Sequence, residues 1–467
     1  MYNKNYDKTN VKTGVNMNIV NRLEKIPVCS FHYRLLFITG LGWMFDAMDT
    51  GIIAFVLPTL AKVWGLTTAQ MGYIGSIGLV GMAIGAVMAG EFADRFGRKK
   101  MFAATLVIYS LATGLCSIAW SYEALLAFRF LVGFGLGGQL PVAVTLVTEF
   151  SPPNVRGKFI VLLESFWGVG WLVAALISYL VIPKFGWHVA FIIGALPALY
   201  VFYIWKTVPE SVRYLLNKGE DQEAEKIVLA MEAAAGIESV PFVRETKAEK
   251  PAQVKVAFSE ILTSAYLKRT IMLWCLWFGI VYSYYGIFTW LPSLMVTQGF
   301  TEIKTFEYVI IMTLAQLPGY FAAAYLVDRI GRKATLVGFL TGCAICAYFF
   351  GQGGSTTVVL TWGSLMSFFN LGAWGVVYTY TPEMYPTRVR ALGSGWAAAI
   401  GRIGGILAPT IVGIMLGSKQ GFQDIFLMFT GVMLGVAVIV AALGPETKGK
   451  TLDEISVGND KLEFSNR

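Results

Sequence analysis

Charge is scarce in this sequence, and so are the residues that usually carry metal or redox chemistry. Only 14% of its 467 residues are Asp, Glu, Lys or Arg, well below the share expected of a soluble globular chain. Histidine occurs twice, as His32 and His188, and two residues so far apart suggest no metal site. Of the five cysteines, Cys116, Cys275, Cys343 and Cys346 fall inside apolar runs and Cys29 lies in a polar N-terminal segment, so no disulfide framework is implied. Cys343-Ala-Ile-Cys346 has the spacing of a redox motif, but within an apolar run it reads as packing. No glycine-rich loop is followed by a phosphate-binding lysine, which argues against ATP hydrolysis. The expectation is a protein with no cofactor that is not an enzyme. The polar N-terminal segment also lacks a compact apolar core ending in a small-residue cleavage site, so no removable signal peptide is read there.

Apolar residues fill the space that charge leaves. They make up 56% of the chain, aromatics 14%, and the mean hydropathy is +0.61. Runs of about 20 such residues cross a hydrocarbon core of roughly 30 Å as helices. Twelve are read, at 34–58, 70–90, 101–120, 123–148, 158–181, 187–207, 270–297, 306–327, 334–351, 356–381, 392–416 and 424–444. The runs are continuous and not alternating, which excludes a barrel of dyad-repeat strands. The expected fold class is therefore all-α, embedded in the lipid bilayer.

Orientation follows from the basic residues. Lys4, Lys8, Lys12, Arg22 and Lys25 precede the first span, Arg95, Arg98, Lys99 and Lys100 follow the second, and Arg156 and Lys158 follow the fourth. The opposite face offers single lysines such as Lys62, Lys184 and Lys419. The basic face is thus expected in the cytoplasm, with both termini there and the chain in the cell membrane. The net charge of +8 is a topology signal, spread over loops instead of forming the single stripe that a nucleic-acid partner requires.

Two charged hairpins betray a duplication. "GEFADRFGRKK" at 90–100 returns as "AYLVDRIGRK" at 324–333, and Asp94 and Asp328 stand 234 positions apart. The same offset links Arg98 to Arg332, Glu149 to Glu383 and Arg156 to Arg390. "PESVRYL" from Pro209 and "PETKGKTLDEI" from Pro445 close the two copies. Parallel repeats of six spans give two bundles about a pseudo-two-fold axis along the membrane normal. The expected segments are 1–33, an N-terminal bundle at 34–207, a hydrophilic linker at 208–268, a C-terminal bundle at 269–444 and a tail at 445–467.

These residues carry a family resemblance. The repeated "DRxGRK" hairpin, "RFLVGFGLGG", "PPNVRG" and the "PES" and "PET" ends resemble the major facilitator superfamily, in its sugar-porter and organic-ion branches. The resemblance covers the whole chain and implies a twelve-helix secondary transporter. "GWMFDAMD" (42–49), "VLLESFWGVGWL" (161–172), "SYYGIFTWLPS" (283–293), "SFFNLGAWGVVYTYTPEMYPT" (367–387) and "GRIGGI" (401–406) resemble more narrowly the bacterial niacin permeases. That likeness implies nicotinate, a small aromatic carboxylate, as the substrate, imported by alternating access with a proton; the chain is expected to act as a monomer in the bilayer. Another aromatic acid, a sugar or an organic cation stays open as cargo, as does a receptor built on a transporter scaffold.

Ionisable residues within spans are costly and usually line a cavity or relay. They are Asp46 and Asp49 in the first span, Arg129 in the fourth, Glu164 in the fifth and Arg402 in the eleventh. The resemblance to proton-coupled sugar porters implies that Asp49 pairs with Arg129 and couples a proton to the rocking motion, with Asp46 one turn away sharing that role. A static ion pair is the competing reading. Arg402 is expected to grip the substrate carboxylate with its two-pronged guanidinium; alternatively it pairs with Glu164, and both hold in turn if the substrate carboxylate displaces Glu164, which then takes up the proton. Trp167, Trp171, Tyr284, Tyr285, Trp290, Phe369, Trp374 and Tyr378 are expected to accommodate a flat ring, and Asn370 and Gln139 to meet its nitrogen. In the charged hairpins and the loops that follow, the superfamily likeness implies gating latches made of Asp94, Arg98, Glu149 and Arg156, repeated as Asp328, Arg332, Glu383 and Arg390. Mere positive-inside anchoring is the alternative.

Overall fold

The computed structural model describes residues 19–153, 155–237, 257–418 and 421–448. Lys4, Lys8, Lys12, Lys419, the middle of the linker and most of the tail lie outside the described residues. All regular structure among the described residues is helical. A short α1 (Ile19–Lys25) leads into α2 (Ser30–Trp64), α3 (Thr68–Phe96), α4 (Arg98–Cys116), α5 (Tyr122–Phe150) and α6 (Arg156–Phe185). The sixth span is split into α7 (Trp187–Ala195) and α8 (Tyr200–Thr207), joined by a 3-10 turn at Leu196–Leu199 where Pro197 supplies no backbone donor. The linker contributes α9 (Val212–Lys218) and α10 (Asp221–Ala235).

The second copy begins with α11 (Ser264–Thr297). Its next span is also split, into α12 (Glu302–Leu314) and α13 (Gln316–Ile330). Pro318 accounts for the break, because its ring clashes with the carbonyl four residues earlier, that of Leu314. Then follow α14 (Arg332–Gly351), α15 (Thr356–Glu383), α16 (Thr387–Gly417) and α17 (Phe422–Leu443). Taking α7 with α8 and α12 with α13, these make twelve spans. Ten are apolar and long enough to cross a membrane by composition alone. The other two are α4, which opens on Arg98, Lys99 and Lys100, and α15, which is rich in Thr, Ser and Tyr.

Packing repeats with the sequence. In the first bundle α2 lies on α6 and α3 on α5; in the second α11 lies on α16 and α13 on α15. Glycines let α3 and α5 approach to backbone contact: a Cβ at Gly81 or Gly85 would run into the Phe130 or Phe134 carbonyl, and one at Gly133 or Gly137 into that of Gly78 or Met82. Small residues serve this purpose in lipid, where helix association depends on close van der Waals contact.

Between the bundles α3 meets α16, α2 meets α11, and α6 meets α12. These contacts lie midway or at the end far from the N-terminus. Ser76 donates to the Ile406 carbonyl at 2.6 Å and lies 2.8 Å from Thr410 Oγ1. Lys62 Nζ pairs with Glu302 at 2.6 Å, Tyr179 donates to Glu307 at 3.2 Å, and Phe55 packs edge-on to Phe306. The seam is therefore shut at the far end.

The charged hairpins sit at the basic end, and each network stays within its own copy. Gly97, at φ 107°, and Gly331, at φ 100°, take a backbone conformation that L side chains avoid. Each starts a helix whose first N–H groups need acceptors. Glu210 accepts from Arg98 N at 2.8 Å and Lys99 N at 3.1 Å. In the second copy Glu446 accepts from Arg332 N at 2.9 Å and Lys333 N at 3.1 Å. The segment that closes each copy thus caps the helix that follows its hairpin. Burial alone would raise the Glu446 carboxyl; backbone N–H groups of Lys448, Arg332, Thr447 and Ala334 outweigh it and hold the pKa below its ordinary 4.5.

Candidate functional site

A cavity of about 300 Å³ opens at the seam, on the basic side of the closed contacts, within the range of roughly 300–1,000 Å³ typical of small-molecule sites. Its walls come from both bundles. From the first come Trp43 of α2, Leu79 and Met82 of α3, Leu136, Leu140 and Val144 of α5, and Glu164 and Trp167 of α6. The second supplies Trp277, Tyr284 and Tyr285 of α11, Tyr320 of α13, Trp374 and Tyr378 of α15, and Arg402 of α16.

Aromatic contacts give the walls their shape. The Trp43 and Trp167 rings lie 4.7 Å apart, and Trp167 Nε1 donates to Tyr284 Oη at 2.6 Å across the seam. Tyr284 also packs edge-on to Trp374 at 5.8 Å, and Trp374 stacks on Tyr378 at 5.7 Å. Ring contacts of this kind hold the aromatic side chains of the wall in place.

Two ionisable groups face this aromatic space. Arg402 is carried by a glycine-rich stretch of α16, where Gly401, Gly404 and Gly405 press against Trp277, Phe278 and Tyr285 of α11. Among the described residues its guanidinium has no hydrogen-bond or ion-pair partner. Glu164 is 5% exposed and its Oε1 is buried without a partner. The two residues line one cavity but form no ion pair with each other.

A second polar cluster lies beside the cavity. Asp49, fully buried, accepts from Arg129 Nη1 at 3.0 Å and from Thr113 Oγ1 at 2.5 Å. Asp46, one turn earlier, is 1% exposed, and both its carboxyl oxygens lack partners. Arg129, Thr50 and Tyr285 line a small void of about 20 Å³, and Tyr285 is a wall of the larger cavity as well. Tyr285 thus stands with Leu79, Met82 and Leu136 between Arg129 and the main space.

Comparison with known proteins now has a geometry to attach to. The profile described as "Sugar (and other) transporter" matches residues 19–458, nearly the whole chain. The chain belongs to that family. It is thereby a major facilitator, a multi-pass membrane transporter and not an enzyme. Over 443 residues it is 59% identical to the niacin transporter NiaP of Acinetobacter baylyi, covering 94% of this chain and all of that one. It is 28% identical to the benzoate transport protein of the same organism, covering 91% of this chain and 92% of that one. Among solved structures, the xylose transporter XylE from E. coli in an inward-open conformation superposes with a TM-score of 0.73 at 18% identity, over 91% of this chain and 99% of that one. That likeness concerns the fold.

Apart from the Asp46, Asp49 and Arg129 cluster, the residues singled out by sequence fall into three groups. Arg402, Glu164, Trp167, Tyr284, Tyr285, Trp374 and Tyr378 line the cavity. Trp171, Trp290, Phe369, Asn370 and Gln139 lie behind its wall: Trp171 backs Tyr284 and Phe288, Trp290 donates to the Pro409 carbonyl, and Phe369 packs on Phe339. The Asn370 amide approaches Ser283 at 3.4 Å, and Gln139 accepts from Thr105 at 2.5 Å, so both amides join helices. The third group is the hairpin network. Arg98 meets Asp94 at 2.6 Å and Glu149 at 3.6 Å, while Arg332 meets Asp328 at 3.9 Å and Glu383 at 3.3 Å. Arg156 and Arg390 turn to the backbone carbonyls of Ser151 and Tyr385. Trp43, Trp277 and Tyr320 are wall residues that sequence reading missed. The only signal for Trp43 was its place one turn before Asp46 in the first span.

Proposed function

We propose that this transporter imports nicotinate, or a close pyridine or benzoate relative, by alternating access coupled to protons. One observation carries the reading: Arg402 presents an unpartnered guanidinium to a cavity walled by indole and phenol rings. A small aromatic carboxylate satisfies both features, since the fork takes the carboxylate through two parallel hydrogen bonds and the rings take the flat face. The printed name of the 59% identical relative, a niacin transporter, supports the same cargo. A cation would leave Arg402 unmatched and repelled.

The basic end is read as cytoplasmic, from the lysines and arginines of its loops. The shut far end and the cavity on the basic side then correspond to an inward-facing state. In the outward-facing state the hairpin networks around Asp94 and Asp328 take the role of latches, because a carboxylate beside a helix N-terminus of the other bundle is favoured by about 0.3–1 kcal/mol. Asp49 is read as the coupling carboxyl. Protonation would release Arg129, and Tyr285 is placed to pass that change to the cargo space.

The deciding experiment is uptake of radiolabelled nicotinate into proteoliposomes, with and without an inward proton gradient, competed by nicotinamide, benzoate and glucose. Accumulation driven by the gradient and resisted poorly by the neutral amide supports the reading. Absence of uptake, with another solute competing for binding, reassigns the cargo and leaves the fold untouched.

A further inference from the structure

We propose that Glu164, carrying a proton, donates a hydrogen bond to the ring nitrogen of the cargo while Arg402 holds its carboxylate. The inference rests on the nicotinate reading above and names the residue that tells a pyridine from a benzene ring.

A pyridine nitrogen is an acceptor, so its recognition needs a donor in the cavity wall. Of the four indoles in the wall, Trp167 Nε1 donates to Tyr284 and Trp277 Nε1 to Thr381 at 2.9 Å, while Trp43 Nε1 and Trp374 Nε1 have no partner. The amides of Asn370 and Gln139 are behind the wall. Glu164 differs from the free indoles and from the Tyr285, Tyr320 and Tyr378 phenols of the wall in that its donor comes and goes with a single proton; it is nine-tenths buried or more, with Oε1 lacking any partner and no cation within 4.0 Å. A carboxylate there would set its lone pairs against that of the nitrogen. A protonated carboxyl offers one O–H donor, which suits the nitrogen.

Placement favours a cargo that spans both groups. Glu164 enters from the first bundle and Arg402 from the second, and they stay apart although they share one cavity. Tyr285 and Tyr378 lie within electrostatic reach of both, so the two phenols flank the space between acid and guanidinium. Nicotinate carries an acceptor and a carboxylate on the same flat ring. Benzoate has the same outline and the same carboxylate but a C–H where the nitrogen stands. A site that provides a polar partner penalises such an analogue because its own buried group is left unpaired. No covalent bond forms or breaks, and the proton stays on Glu164.

The test is binding of radiolabelled nicotinate and of radiolabelled benzoate to the purified full chain in lipid nanodiscs, between pH 5.5 and 8. Wild type is expected to prefer nicotinate about tenfold at low pH, the effect of one well-placed hydrogen bond, and to lose the preference as pH rises. Glu164→Leu should weaken nicotinate about tenfold and leave benzoate unchanged. Glu164→Gln should keep the preference but lose its pH dependence, since an amide donates without titrating. Trp43→Phe and Trp374→Phe each remove one free indole N–H of the wall; loss of the preference in either, with Glu164→Leu retaining it, assigns the nitrogen to that indole. A preference intact in Glu164→Leu overturns the assignment, as does wild type that binds both acids equally. Should Glu164→Leu fail to fold, persistence of the pH dependence in Glu164→Gln overturns it instead. Wild type that binds neither acid refutes the nicotinate reading itself, an outcome distinct from the others.

Discussion

Lys62 of the first bundle and Glu302 of the second pair at 2.6 Å across the seam, the charged clasp of the shut end. Thr59 Oγ1 donates to the same carboxylate at 3.3 Å. Because Lys62 is well exposed, the pair contributes only about 0–1 kcal/mol. Lys62→Glu should therefore loosen this end modestly. We expect alkylation of a cysteine placed at Thr410, which sits against Ser76 in the seam, to speed up about threefold to fivefold, and the double exchange Lys62→Glu with Glu302→Lys to restore the slow rate. Equal labelling in all three proteins would show that the clasp has no part in closure.

Arg402 bears on binding more than on folding. Truncating one partner of a buried, hydrogen-bonded charge pair costs about 2–5 kcal/mol, so Arg402→Ala should weaken nicotinate by at least about thirtyfold while leaving the elution profile of the purified protein unchanged. Arg402→Lys keeps the charge but loses the fork and should fall between. Unaltered affinity in Arg402→Ala would remove the guanidinium from the cargo site.

For the Asp49–Arg129 pair, the two partners should behave differently. Asp49→Asn keeps the shape of the site and abolishes its titration, so exchange of labelled for unlabelled nicotinate should survive while gradient-driven accumulation fails. Arg129→Met leaves Asp49 buried beside Thr113 without its cation, a change that destabilises folded proteins by about 3–5 kcal/mol. Normal accumulation in Asp49→Asn assigns coupling elsewhere, with Asp46 the next carboxyl to examine.

Glu446 gives a pH signature outside the membrane. Its folded pKa lies below the ordinary 4.5, so its stabilising effect is complete above about pH 4.5 and disappears as pH falls through the lower folded value. Glu446→Gln should thus lower the thermal unfolding midpoint at pH 7, and the gap from wild type should close in acid. A gap constant between pH 7 and pH 3 would show that the side chain acts by shape and not by charge.

Much of the architecture was readable from the residues because lipid imposes a strong pattern. The apolar runs marked the spans, and the fixed separation of Asp94 from Asp328 and of Glu149 from Glu383 marked the duplication. The break at Ala315 also had its cause in plain view, in Pro318. The cavity wall was only partly legible. Whether a polar atom is free depends on partners from distant helices, and hydropathy carries no record of them. Asn370 and Gln139 resemble ligand groups in isolation, yet Ser283 and Thr105 occupy them. Trp43 and Tyr320 resemble ordinary apolar filling until the two bundles are set face to face. Glu164 and Arg402 were conspicuous as charges within spans and were readable as a possible pair, but whether they would touch was not; they share a cavity without pairing.

The caps contributed by Glu210 and Glu446 bear on how the protein is made. Glu210 lies downstream of every helix in its bundle and reaches back to the start of α4, while the neighbouring Ser211 hydroxyl donates to Glu149 at the end of α5. Once a ribosome has passed these residues, the first bundle has everything needed to finish its own packing, before α11 has been synthesised. Membrane insertion can then proceed in two instalments, each completed by its last few residues, with the seam left as the only join to be made between them.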